Sequence, residues 1–287
     1  MWKCTSSSCA ASWVMTRRPT WNKAVPTNHP QLMNSEMQGR SQRHRVEDDD
    51  AERVETRLIW AGFFFALAAF AALPGLDLLV SVNYYSAAHG FFHRHDPLVL
   101  ALYDWTPLIG RALVVLMALV ALLAPLMAMG LEQLGRVAWA SYCKGPLRHA
   151  ATVAFCCALL GNGLVVEGVL KGFMGRPRPV QVVQFGGTDA YHGPFVRGED
   201  PGNHRSFVSS HAAAGFALMS LGLTCGPVWR RRWLLIGTVA GGVVGMGRMM
   251  QGGHFLSDII FAFYAIWLSC ELVAWVDRRR LARSAPV

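Results

Sequence analysis

The chain has 287 residues, of which 53% are hydrophobic and only 16% charged, with a mean hydropathy of +0.28. A soluble domain carries roughly 25% charged residues, so one membrane bundle with an appended tail fits this composition better than two soluble domains. The net charge is +9 and the pI about 9.5, but the basic residues gather beside apolar runs, the pattern of anchoring against anionic lipid and not of nucleic-acid binding.

Residues 1 to about 56 are polar and of mixed charge, ending in Glu47-Asp48-Asp49-Asp50. They contain no apolar run that could form the core of a signal peptide, so a disordered cytoplasmic tail is expected, with Met33 or Met37 equally serviceable as starts. Residues 57–277 are expected as the transmembrane domain and 278–287 as a short basic cytoplasmic tail. Six apolar stretches follow one another: Leu58–Leu76, Ala112–Leu131, Ala150–Val166 (running on past Glu167 to Leu170), Phe207–Trp229, Trp233–Gly247 and Phe255–Val276. About 20 residues cross the hydrocarbon, so the pattern predicts an all-α bundle of six transmembrane helices, the fifth being short at 15 residues. Between the first two stretches, a short interfacial helix is expected after Pro97. Residues 77–111 then form a lid whose Phe91, Phe92, Tyr103 and Trp105 suit the membrane interface.

Arg136, Lys144 and Arg148 join the second and third stretches, Arg230-Arg231-Arg232 the fourth and fifth, and Arg278-Arg279-Arg280 follows the sixth. The positive-inside rule places these loops and both termini in the cytoplasm, and the connections at 77–111, 171–206 and 248–254 outside. Lys171, Arg178, Arg205 and Arg248 then break the charge bias, which assigns them another task. Gly237, Gly241 and Gly245 recur every four residues, a spacing that lets helices approach closely in lipid. The seven cysteines avoid the long outer loops and form no CxxC pair, so neither a disulfide framework nor a zinc site is expected.

Three polar clusters stand at the outer ends of these stretches. His254 and Asp258 are four residues apart, share a helix face, and can touch. A carboxylate on one ring nitrogen fixes the tautomer and frees the other nitrogen as a nucleophile, while Arg248 can grip two phosphate oxygens. Taken alone, the His–Asp pair is equally well explained as a helix cap. Ser209-Ser210-His211 opens the fourth stretch, where a helix start favours an anion and His211 can protonate a departing oxygen; alone, it reads as an N-cap beside a membrane-surface histidine. Lys171 ends the third stretch one turn after Glu167, and Pro177 and Pro179 hold Arg178 in an extended turn. A lone lysine there would be a snorkelling helix-end charge.

Together, Lys171-x6-Arg178-Pro179, Val208-Ser209-Ser210-His211 and Gly247-Arg248-x5-His254-x3-Asp258 resemble the three motifs of the type 2 phosphatidic acid phosphatase superfamily, the lipid phosphate phosphatases. The resemblance covers roughly residues 58–276. It implies the helical bundle shared with vanadium haloperoxidases and a phosphatase that works without metal or other cofactor. By the same resemblance Lys171, Arg178 and Arg248 hold the phosphate and Ser209 and Ser210 add hydrogen bonds. His254 attacks phosphorus, oriented by Asp258, and His211 protonates the leaving group and then activates water. Val208, Ser210 and Gly247 stand where the family has proline, glycine and serine. Leu73-Pro-Gly-Leu-Asp-Leu, Tyr84-Tyr85, Gly90-Phe91-Phe92 and Arg205-Ser-Phe-Val-Ser-Ser-His are similar to the bacterial lipid A 4'-phosphatase branch. There Asn203 and His204 are candidates to grip a head group or are plain loop residues.

The expectation is therefore a multi-pass bacterial inner-membrane lipid phosphatase with its site facing the periplasm. Its partners would be the bilayer and a phosphorylated lipid (lipid A, phosphatidylglycerol phosphate, phosphatidic acid or a polyprenyl pyrophosphate), not nucleic acid. The competing readings are a phosphotransferase using the same phosphohistidine, a non-enzymatic transporter or scaffold, and, more remotely, a haloperoxidase.

Overall fold

The structure, a computed structural model, describes the backbone of residues 30–284 and the side chains from Asp50 onward. The chain separates into units 1–50 and 51–287. Of the tail expected at 1–56, residues 1–29 lie outside the described residues. Residues 30–56, expected as disordered, are helical, part of α1 (Pro30–Ala72). The sequence holds no proline between Pro30 and Pro74, so nothing stops the helix of the first span from running back into its polar flank.

After α1 come a short helix α2 (Leu76–Ser81), a two-stranded antiparallel hairpin of β1 (Tyr85–Ser86) and β2 (Gly90–Phe91), and α3 (Pro97–Gln133). The interfacial helix expected after Pro97 is not separate. It is the beginning of the 37-residue α3, which tolerates Pro107 and Pro125 in its interior. The third long helix is continuous from α4 (Val137–Tyr142) through α5 (Arg148–Ala158) to α6 (Lys171–Met174), with wide π turns at Cys143–Leu147 and Leu159–Leu170. A long connection leads to α7 (Ser210–Phe216), α8 (Pro227–Met250) and α9 (Leu256–Ser284).

Among the described residues, five helices are long and apolar enough to cross a membrane: Asp50–Ala72, Pro97–Gln133, Val137–Gln181, Pro227–Met250 and Leu256–Ser284. The fourth expected stretch, Phe207–Trp229, is not one helix. It forms the seven-residue α7 followed by six residues of tighter 3-10 helix to Gly222. At about 1.5 and 2.0 Å per residue that is roughly 22 Å, against roughly 30 Å of hydrocarbon. Gly226 and Pro227 end it and start α8, Pro227 being suited to a first helical turn. The fifth stretch is correspondingly longer than its apolar part, because Arg230-Arg231-Arg232 belong to α8 and not to a loop. Arg230 pairs with Glu52, and its Nη2 donates to Glu271 Oε1 at 3.0 Å.

The centre of the bundle is α9, whose Phe261, Ala262, Ile266, Trp267 and Cys270 are buried against Ala66 and Phe70 of α1, Val153 and Cys157 of α5, and Phe216 of α7. Large apolar side chains of α1 and α3, such as Phe65 and Leu122, instead point outward. A water-soluble surface rarely carries such a contiguous apolar face, whereas a lipid-facing one requires it. The glycine row of α8 packs as its spacing suggested: a side chain at Gly241 would collide with the Phe216 ring, and one at Gly215 with the Gly241 backbone. Cys143, Cys156, Cys157, Cys225 and Cys270 are all free thiols.

Candidate active site

The first cluster sits where the third long helix ends. Gly175 takes the left-handed conformation (φ +57°) that stops it, and the prolines hold the following residues extended. Lys171 is buried; its Nζ donates to Glu167 Oε1 at 2.9 Å and to Ser210 Oγ at 2.7 Å, tying this cluster to the next. Arg205 joins the same carboxylate, Nη2 to Glu167 Oε2 at 3.3 Å. Arg178 receives local support, its backbone N–H donating to Gln181 Oε1 at 2.7 Å. Among the described residues, neither Arg178 nor Arg248 has a carboxylate partner.

In the second cluster Ser209 is the N-cap of α7: its Oγ accepts from Ala212 N at 3.3 Å, and its own N–H donates to the Asp258 carbonyl at 3.1 Å. One of its two Oγ lone pairs is thus committed to the helix, while its hydroxyl proton remains to be given. His211 lies stacked on Tyr103 of α3, rings 5.0 Å apart and 12° from parallel. The Arg248 guanidinium also lies over the Tyr103 ring, 4.5 Å from its centre. Tyr103, expected only as an interfacial aromatic, is a wall of the site; nothing in its spacing from the motifs could have shown this.

The third cluster closes the site. Arg248 ends α8, is buried, bonds Gln251 through Nη1, and keeps Nε buried with no partner. Gly252 (φ +68°) and Gly253 turn the chain so that His254 and the start of α9 follow. His254 is buried with Nδ1 facing Asp258 Oδ2 at 3.4 Å. That same oxygen accepts from Ser206 Oγ at 2.5 Å and from Phe255 N at 2.9 Å, so three groups hold it in place. Burial pushes the His254 imidazole down to about 4, against the pull of Asp258, so it is neutral at pH 7. Electrostatically, His211 is within reach of Arg248, His254, Lys171 and Arg178 together, and His254 within reach of Arg248 and Lys171. Lys171 on Ser210, Ser209 N–H on the Asp258 carbonyl, and Tyr103 against both His211 and Arg248 bring the three separated motifs to one place.

Other residues named from the sequence have local partners or different surroundings. Asn203 is bonded to Asp200 (Nδ2 to Oδ2, 2.7 Å), and His204 pairs with Asp189 (Nε2 to Oδ2, 3.0 Å), which fits the reading of both as loop residues. Phe91, expected at the membrane interface, is buried against Tyr85 and Phe185, because the hairpin folds inward over the third cluster. Sequence reasoning passed over Arg176 and Asp77, both fully buried at the back of Asp258. Their only signal was an arginine in the middle of the first motif and an aspartate in an otherwise apolar turn. Among the described residues, no group of His, Cys, Asp and Glu is arranged to hold a metal ion.

The family model of the PAP2 superfamily matches residues 151–281, which contain all three clusters. The lipid A 4'-phosphatase of Francisella tularensis subsp. novicida (strain U112) is 33% identical over 217 residues, covering 73% of this chain and 90% of that protein. The chain belongs to the PAP2 superfamily. No solved structure matches it. As a PAP2 protein with several apolar helices, it is a multi-pass bacterial membrane lipid phosphatase, a phosphoric monoester hydrolase. The reading as a non-enzymatic transporter or scaffold is thereby set aside.

Proposed function

We propose that this PAP2 protein removes a phosphate from a lipid at the periplasmic face of the inner membrane, through a phosphohistidine on His254. The observation that carries the reading is the buried, unpartnered Nε of Arg248, whose charge acts on His211 together with those of Lys171 and Arg178. A buried donor without an acceptor costs about 1–3 kcal/mol, which a phosphate oxygen would recover. In this scheme Lys171, Arg178 and Arg248 neutralise the phosphate, and the Ser209 and Ser210 hydroxyls add hydrogen bonds. The Nε2 lone pair of His254 forms the N–P bond as the P–O bond to the alcohol breaks, and His211, protonated once the bound phosphate offsets the cations around it, gives its proton to that leaving oxygen. Neutral His211 then takes a proton from water, whose oxygen bonds phosphorus as the N–P bond breaks.

Lipid A is the favoured substrate, by likeness to the Francisella phosphatase. A cavity of about 550 Å³ supports a lipid: it is lined by Pro107, Leu113, Val114 and Leu218, with Ser210 and His211 at its polar end. Asn162 also borders it, with a buried, unpartnered Oδ1 that suits a chain carrying an N–H or O–H donor. In this reading α7 and the 3-10 turn after it complete a sixth crossing, and both termini are cytoplasmic, as the arginines of α8 and the end of α9 favour.

The test is phosphate release by detergent-purified protein from lipid A, phosphatidylglycerol phosphate, phosphatidic acid and undecaprenyl pyrophosphate, with EDTA present. Radiolabelled phosphate should be trapped on wild-type protein as an acid-labile adduct and be absent from His254→Ala. Release from none of the four lipids, or an adduct that survives in His254→Ala, overturns the proposal. Transfer to an added lipid or sugar hydroxyl without release would instead favour the phosphotransferase.

A further inference from the structure

Behind the His254–Asp258 pair lies a second buried layer that the phosphate does not reach. Arg176 is fully buried and each of its five N–H donors is taken. Nε donates to the His192 carbonyl at 2.9 Å. Nη1 donates to Asp258 Oδ1 and Ser257 Oγ, both at 2.7 Å. Nη2 donates to Asp77 Oδ2 at 2.7 Å and to the Tyr191 hydroxyl at 3.4 Å. The Phe255 ring covers its face at 4.4 Å. Arg176 therefore has nothing left for a substrate, although it stands two residues before Arg178. Both oxygens of Asp77 are engaged as well: Oδ1 accepts from Ser257 N at 2.9 Å, and Oδ2 from Ser257 Oγ at 2.5 Å as well as from Arg176. An element from the α1–α3 connection thus fastens the first turn of α9.

We propose that Asp77 and Arg176 are positioning residues for the phosphoryl-transfer pair, Asp77 locking Arg176 and Arg176 holding Asp258 with one oxygen turned to His254. The inference rests on His254 being the nucleophile. Two physical arguments support it. Arg176 occupies Oδ1, so the carboxylate cannot rotate and Oδ2 stays on Nδ1. The layer also holds two carboxylates against one guanidinium, a net negative charge completely out of water. Buried charge of this kind is costly unless compensated. Compensation appears when Nε2 bonds phosphorus while Nδ1 keeps its proton, because the ring then becomes cationic. The layer therefore stabilises the reacting state more than the resting one, which raises kcat and leaves KM alone.

Asp77→Asn removes the charge and keeps the shape; Ser257→Ala removes only the hydroxyl between Arg176 and Asp77. Each is purified in detergent, checked for a monodisperse peak, and measured for kcat and KM in phosphate release and for affinity toward vanadate, which mimics the transferring phosphoryl group without a lipid. For Asp77→Asn, kcat should fall by about 10- to 100-fold, the usual effect of losing an outer carboxylate behind a working histidine, with KM within about threefold. Vanadate should bind more weakly by a similar factor. Ser257→Ala should show the same pattern at about three- to tenfold, since it removes two hydrogen bonds to charged partners without changing the charge of the layer, and decides the matter if Asp77→Asn does not fold. Either folded variant with wild-type kcat and vanadate affinity overturns the inference, as does a loss confined to KM. The vanadate measurement survives a wrong choice of lipid: a wild-type protein that binds vanadate but cleaves none of the lipids removes the substrate reading only. One that binds no vanadate removes both.

Discussion

Gly252→Ala tests whether the turn between Arg248 and His254 is held by its backbone conformation. Gly252 has φ +68°, where an L-residue costs about 1–2 kcal/mol. A methyl there would also sit 2.5 Å from Phe91 Cδ2. That ring cannot retreat cheaply, since Tyr85 at 5.4 Å and Phe185 at 5.4 Å hold it, so overpacking adds about 1–3 kcal/mol. The sum is about 2–5 kcal/mol, or roughly 4–20 °C in Tm at 2–4 °C per kcal/mol. The turn is also tied to the first motif by Val180 N donating to the Gly252 carbonyl at 3.1 Å. Any shift that relieves the clash therefore moves Arg248, His254 and the Arg178 loop relative to one another, and a displacement near 1 Å costs about 100-fold in kcat. Thermal unfolding and phosphate release in detergent measure both effects. Gly242→Ala is the control, because a methyl there meets nothing within 4 Å. A Gly252→Ala protein with the Tm and kcat of the control would refute the reasoning.

Two further outcomes are expected. Ala214→Phe fills the cavity beside His211, and excluding two acyl methylenes at about 0.8 kcal/mol each should lower kcat/KM for a long-chain lipid phosphate by about 15-fold. Hydrolysis of a short soluble phosphate monoester should be unchanged, and an equal loss on both substrates would show that the cavity is not the acyl site. The second concerns pH: burial lowers His254 from 6.5 to about 4, so the unfolded chain binds a proton there that the folded one does not. Stability from this group is complete above about pH 6.5 and is lost as pH falls toward 4, by at most about 3 kcal/mol. Unfolding in detergent at pH 7.5, 6 and 5 should show it, and His254→Gln should reduce the dependence by this group's share.

The contacts within each motif were legible in the sequence because local spacing is sufficient for them. His254 and Asp258 share a face at four residues, Ser209 caps the helix it precedes, and Lys171 falls one turn after Glu167; all three contacts are formed. The apolar runs likewise marked most membrane helices, since hydropathy and length are properties of the run itself. Helix ends were less legible. Phe207–Trp229 reads as one span, yet Gly226-Pro227 divide it, and the close packing of Gly215 on Gly241 depends on a neighbour 26 residues away. What encloses the site came only from tertiary structure. Tyr103 meets His211 across 108 positions, and Asp77 meets Arg176 across 99. No period or motif encodes such pairs, because a buried charge is assigned its partner by whichever helices fold against it.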